Sequence, residues 1–201
     1  SADDLQARFM ERLGRAHDRI RAHAEALGGE TVGATMVAVL LHDVDFACLW
    51  MGDSRIYLKR GEVLYRQTRD HTEVQQLLDA GTITPEEAEV WPRRNVITRA
   101  VGVSETPKCD IITGQAEPGD CFLLCSDGLT EHVSDEEIAE AIRVEDPAQL
   151  ICDRLVQLTL DRGARDNVTV VAVRCEAAEP PATELDEADL AAADGDGDET
   201  A

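Results

Sequence analysis

The sequence predicts one α+β domain in which antiparallel strands form the body and amphipathic helices pack outside them. Three observations point there. Residues 3–27 repeat apolar side chains at helical spacing; residues 31–67 hold four short strand-like runs joined by tight turns; and two apolar runs, 121–125 and 168–175, bracket segments that carry helix-start signals. At 201 residues, 43% hydrophobic and 30% charged, the chain can bury one ordinary core and is short for two.

The first helix rests on Leu5, Phe9, Leu13, Ala16, Ile20 and Ala24, with charges between them and Gly28-Gly29 to end it. Thr31 to Leu41 is rich in β-branched residues, His42-Asp43 makes a tight connection, and Val44 to Met51 resumes the apolar run, so the two pair as a hairpin. Gly52-Asp53-Ser54 interrupts it. Arg55 to Lys59 and Val63 to Gln67 then continue what reads as an antiparallel meander. From Asp70 to Thr98 the pattern loosens: a short helix around Val74, Leu77 and Leu78 stopped by Gly81, a capping box at Thr84-Pro85-Glu86-Glu87, and Trp91 as a packing anchor. An irregular insert of that length is more often functional than structural. Cys121 to Cys125 is a buried strand; Ser134 to Glu137 caps a helix reaching about Ile142; Asp146-Pro147 starts another, closed by Gly163; Val168 to Cys175 is the last strand.

The net charge of −22 is uneven, since residues 176–201 hold ten acidic side chains and no basic one, leaving −12 for the body. Such a surface, with no Lys/Arg cluster, repels phosphate backbones and anionic bilayers, which argues against nucleic acid and membrane partners and favours cations. The six cysteines show neither C-x-x-C nor zinc-type spacing and sit mostly in apolar runs. With no stretch near eighteen apolar residues and no signal peptide, a reduced, cytoplasmic, monomeric protein without membrane insertion is expected. Residues 176–201, with Pro180-Pro181, read as a disordered acidic tail; Asp194-Gly195-Asp196-Gly197-Asp198 lacks the Gly and Glu a calcium loop needs.

Function, read from residues alone, rests on three aspartates. Asp127 ends the central strand beside Gly128, Asp53 sits at the break after Met51, and Asp166 precedes the last strand. Singly, each reads as a turn residue. Together they are oxygen donors at strand ends, which a sandwich gathers at one edge, and without His or Cys they suit Mg²⁺ or Mn²⁺ rather than zinc. A C-x5-R phosphatase loop is excluded, because Asp127 and Glu131 stand where Cys121 and Cys125 would need arginine. Arg55, Arg93, Arg94 and Arg165 are candidates for phosphate, or simply solvated.

Gly33-Ala34-Thr35, Met51-Gly52-Asp53-Ser54-Arg55, Cys125-Ser126-Asp127-Gly128-Leu129 and Asp166-Asn167-Val168-Thr169, in this order, closely resemble the later motifs of the metal-dependent serine/threonine protein phosphatases of the PPM type (type 2C). Ile83 to Ala88 resembles the flap of the bacterial members. The resemblance implies a four-layer α-β-β-α sandwich of two antiparallel sheets flanked by helices, a phosphatase domain over residues 1–175, and a flap near 70–98. It implies that Asp127 and Asp166 hold a pair of Mg²⁺ or Mn²⁺ ions, that Asp53 serves a third, and that Asn167 orients the site. The implied chemistry is hydrolysis of phosphoserine or phosphothreonine in proteins by water activated between the two cations, reversing a cognate bacterial Ser/Thr kinase.

The family's opening motifs, which supply a bridging Asp and a phosphate-binding Arg, have no counterpart here. A fragment lacking its first strands, with exposed apolar surface and weak or absent turnover, is therefore expected. The alternative from another class is a catalytically inert, phosphatase-like domain that binds a kinase or phosphoprotein and regulates it.

Overall fold

The computed structural model of the protein describes residues 1–177, so the expected tail at 176–201, with its Asp-Gly repeat, lies outside the described residues from 178 onward. Helix α1 (Ala2–Ala26) opens on a capping box between Ser1 and Asp4. Strands β1 (Met36–His42) and β2 (Asp45–Met51) form the expected hairpin, followed by β3 (Arg55–Arg60) and β4 (Val63–Arg66). Two short helices, α2 (Glu73–Asp79) and α3 (Pro85–Glu89), precede β5 (Asp110–Gln115) and β6 (Cys121–Cys125). A one-turn helix α4 (Asp127–Thr130), then α5 (Asp135–Ala141), α6 (Ala148–Asp161) and β7 (Val170–Arg174) complete the described chain. The capping boxes at Thr84 and Ser134 form as read from the sequence.

All pairings are antiparallel, in two sheets ordered β1-β2-β5 and β4-β3-β6-β7. The meander expectation is therefore corrected: the chain changes sheets between Met51, which pairs with Met36, and Arg55, which pairs with Cys125. The reason lies in composition. Runs such as FACLWM and RIYLK bury side chains of both parities, so each strand needs cover on two faces, and stacked sheets supply it. The first strand starts later than expected, with Ala34 making only an isolated bridge to Val101. Strand β5 carries no clear apolar alternation in DIITGQ and is mostly exposed, which is why the sequence reading passed over it.

The alternation sorts into layers. Phe46, Cys48, Ile56, Leu58 and Phe122 pack between the sheets, with Phe46 and Phe122 edge to face at 5.0 Å. Tyr57, Cys121, Leu123 and Cys125 point the other way, against Leu129, Ile138, Ile151 and Leu155 of the helices. Leu13 of α1 meets Met51 and Val101 on the outer face of the first sheet. This is the four-layer sandwich, two antiparallel sheets flanked by helices. Among the described residues no helix is long and apolar enough to cross a membrane.

One buried polar group ties α1 down. His17 is fully buried; its Nδ1 accepts from Gly102 N–H at 2.9 Å, so Nε2 carries the proton and donates to the Ser104 carbonyl at 2.9 Å. Gly102 has φ +92°, and a Cβ there would lie 2.2 Å from Ile20 Cγ2. His17→Leu strands one buried donor and one acceptor and should lower unfolding free energy by about 2–4 kcal/mol in urea titration. A loss under about 0.5 kcal/mol would mean water replaces both bonds.

Candidate metal centre

The site begins where the chain crosses between sheets. Gly52 takes φ +112°, and a Cβ there would sit 2.5 Å from Thr35 Cγ2, so the turn closes tightly over Thr35. Thr35 Oγ1 lies 3.1 Å from Ser54 Oγ. Asp53 is thus fixed from both sides and is only 8% exposed.

Asp127 arrives from the end of β6. Its Oδ1 accepts the N–H of Gly128 at 2.9 Å. The pairing of Cys125 with Val170 brings the 166–169 loop alongside, where three bonds join it to the strand end. Ser126 N–H donates to Thr169 O (3.1 Å), Thr169 N–H donates to Ser126 Oγ (3.0 Å), and that hydroxyl donates to Asn167 O (3.3 Å). A Cβ on Gly128 would stand 2.3 Å from the Asn167 carbonyl oxygen. The glycine is what lets the two loops touch.

Asp53 and Asp127 line one cavity of about 370 Å³, floored by Arg55, Arg66 and Asp70 and walled by Leu78 and Arg94 of the 70–98 insert. Burial, and then the charge of Asp127, pushes the Asp53 carboxyl up to about 6. Burial also pushes Asp127 up, against the Gly128 N–H that favours its ionised form, with Asp166 and Glu131 adding repulsion. Asp53 and Asp127 share the cavity, whereas Asp166, though its charge acts on Asp127, does not line it. Asp166 and Asn167 are exposed, and Asp166 Oδ1 accepts the Asn167 N–H at 2.7 Å. Among the described residues, no three His, Cys, Asp or Glu side chains stand close enough to hold a metal ion together. In kind the donors fit a hard divalent cation, since they are oxygens whose mutual repulsion such a charge would relieve. In number they fall short of a closed ligand set.

Of the four arginines considered for phosphate, Arg55 is spent internally. It gives Nε at 3.2 Å and Nη2 at 2.8 Å to Asp70, and Nη1 at 3.3 Å to Tyr57, whose hydroxyl donates to Asp135 at 2.7 Å. Arg93 pairs with Glu73 at 2.9 Å. Arg94 donates to the Glu89 carbonyl and lines the cavity, whereas Arg165 is exposed and outside it. Two further lining residues carry no motif of their own in the sequence: Arg66, which also bonds Asp70, and Glu131, which accepts from Asn95 Nδ2 at 2.7 Å. Only their spacing from Asp127 and Asp70 hinted at either. All six cysteines are free, and burial pushes Cys125 up to about 12, so no thiolate competes as nucleophile.

A protein-family model described as Stage II sporulation protein E (SpoIIE) matches residues 77–176. The serine/threonine phosphatase Stp of Listeria monocytogenes is 31% identical over 176 residues, covering 86% of this chain and 69% of the relative. The chain belongs to the bacterial PPM-type serine/threonine phosphatase family. Among solved members, PppA, a regulatory component of the type VI secretion system in Pseudomonas aeruginosa, superposes with TM-score 0.78 at 38% identity, covering 87% of this chain and 71% of that one. Mycobacterium tuberculosis PstP is 44% identical over 142 residues, 71% of this chain, but the chain spans only 27% of PstP's length. The structure of the PstP catalytic domain with two manganese ions matches with TM-score 0.71 at 39% identity, over 80% of this chain and 67% of that one.

Two outcomes test the site. The raised Asp53 value means that the folded state holds a proton the unfolded chain has already lost, so stability falls as pH rises from the ordinary carboxylate range through about 6. Without metal, Asp53→Asn should therefore gain about 1–2 kcal/mol over wild type at pH 7.5, after allowance for solvent screening, and nothing near pH 4. Chemical unfolding at both pH values checks it; a gain equal at both would assign the effect to packing. Gly128→Ala must separate the two loops and should cost about 2–3 kcal/mol in the same measurement.

Proposed function

We propose that this domain hydrolyses phosphoserine and phosphothreonine esters in proteins with Mg²⁺ or Mn²⁺ as cofactor, in the cytoplasm, opposing a bacterial Ser/Thr kinase. The observation that carries the reading is the pair Asp53 and Asp127, both raised first by burial and further by neighbouring carboxylates, lining one cavity. The manganese-bound PstP relative supports the choice of cation. Residues 1–175 would form the phosphatase domain, with Asp127 and Asp166 holding the principal ions, Asp53 an outer one, and Asn167 orienting the 166–169 loop. Bound there, divalent cations supply a water of lowered pKa and neutralise phosphoryl charge.

The chain's own residues then divide the work. Arg94, on the cavity wall and bonded among the described residues only to the Glu89 carbonyl, offers positive charge to an entering phosphate dianion. Asp70 holds Arg55 away from it. Val74, Leu78 and Ala88 give the insert an apolar wall for the flanking peptide. The ester is cleaved by water, so no residue of the chain need form a phosphoenzyme.

A second reading, a phosphoprotein-binding domain without turnover, is favoured by the absence of a three-donor cluster among the described residues. One experiment separates the two. Phosphate release from a phosphothreonyl peptide is measured against Mn²⁺ concentration for wild type and Asp127→Asn. The hydrolase reading expects release that rises with Mn²⁺, saturates only at high concentration, and falls at least about a hundredfold in the variant. Peptide binding with no release at any Mn²⁺ concentration would establish the second reading.

A further inference from the structure

His71 is buried, 7% exposed at its side chain, and the hydrolytic reading gives it no part. Its neighbours fix its chemistry. Gly52 N–H, which can only donate, points at Nδ1 from 3.1 Å. Nδ1 must therefore hold a lone pair, and the proton of the neutral ring sits on Nε2, which donates to Asp110 Oδ2 at 3.1 Å; Arg99 Nη1, 3.3 Å from the same Nε2, can only donate and so makes no hydrogen bond to the ring in that form. Arg99 Nη1 pairs with Asp110 Oδ1 at 2.8 Å and holds that carboxylate in place. Above the ring, Trp50 stacks at 6.1 Å and 19°.

The backbone adds a second grip. His71 N–H donates to Gly52 O at 2.8 Å, so Gly52 is held by His71 through both its N–H and its carbonyl. The next residue is Asp53. On its other side His71 accepts Thr98 N–H at 2.7 Å, and the bridge between Thr72 and Ile97 closes the base of the 72–98 insert. One side chain and its own peptide thus join the turn carrying Asp53 to the root of the cavity wall.

We propose that His71, held as the Nε2–H tautomer between the Gly52 N–H and Asp110, is a positioning residue that sets the Gly52-Asp53 turn and couples it to the insert. It touches neither substrate nor cation; it acts through the peptide that precedes Asp53. The inference deepens the hydrolase reading, for which Asp53 matters, yet its first readout does not depend on that reading.

The test compares wild type with His71→Asn, whose Oδ1 can replace the Nδ1 acceptor, with His71→Phe, which keeps the stacking and loses the acceptor, and with Asp110→Ala, which removes the acceptor of Nε2–H and so weakens the hold on the ring. Amide hydrogen exchange at Gly52 reads the bond directly. In His71→Phe, Gly52 should exchange about tenfold faster, while His71→Asn stays within about threefold of wild type and Asp110→Ala falls between. Calorimetric Mn²⁺ affinity should follow the same order, about tenfold weaker in the Phe variant. Should His71→Phe not fold, the Asn and Asp110→Ala comparison decides alone. Unchanged Gly52 exchange in Asp110→Ala and in any folded Phe variant overturns the proposal. Altered exchange with wild-type Mn²⁺ affinity confirms the clamp and removes its link to the cation site. A wild type that binds no Mn²⁺ overturns the hydrolase reading while leaving the exchange result to judge His71.

Discussion

The three residues between Met51 and Arg55 constrain the whole site. A strand of one sheet must end, turn and enter the other within that span, and only a glycine with φ +112° closes the turn over Thr35. Asp53 is carried into a buried position by that geometry rather than by any attraction for its neighbours. The interior it enters is hostile to a bare carboxylate, and Asp127 reaches the same cavity because β6 pairs with β3, one strand along. Two sheet pairings thus impose a charge problem that the side chains present do not solve by themselves.

How the arginines are used sharpens this. Asp70, mostly buried, takes both Arg55 and Arg66, although a repulsive pair of carboxylates lies in the same cavity. A fold selecting only for stability would turn at least one guanidinium toward Asp53 or Asp127. Leaving those carboxylates without an ion pair among the described residues, Asp53 feeling Arg55 only weakly, while a neighbouring acid is doubly paired is the arrangement expected of a site that receives its positive charge from outside.

Much of the fold was legible in the sequence because its signals are local. The α1 periodicity, the capping boxes at Thr84 and Ser134, and the doubly buried CFLLC strand depend on residues within one or two turns of each other. The sheet switch was not legible, since a meander and a crossover share the same turn residues and differ only in which distant strand Arg55 meets. Strand β5 escaped for a related reason: an exposed edge strand buries too little to pattern its sequence. At the site, Asp53, Asp127 and Asp166 could be nominated from strand-end position and motif resemblance. That Asp53 and Asp127 share a cavity while Asp166 stays exposed outside its lining could not. Arg66 and Glu131 were hidden because their partners, Asp70 and Asn95, lie on the insert whose path the pattern does not specify.

The insert that lines the cavity can change shape while the carboxylates stay still. Its helices α2 and α3 bury no residue, so little core packing fixes their position. Its two ends, by contrast, meet in backbone bonds at Thr72, Glu73, Val96 and Thr98, adjoining the segment that clamps Gly52 and anchors Arg55. Changes in the outer part of the loop can reshape the cavity wall without passing strain to Asp53, because the neck below is closed on itself. Changes in the neck cannot, because the same few residues hold the turn. The backbone bonds at the neck thus separate an outer stretch that lines the cavity from an inner one that holds the Asp53 turn.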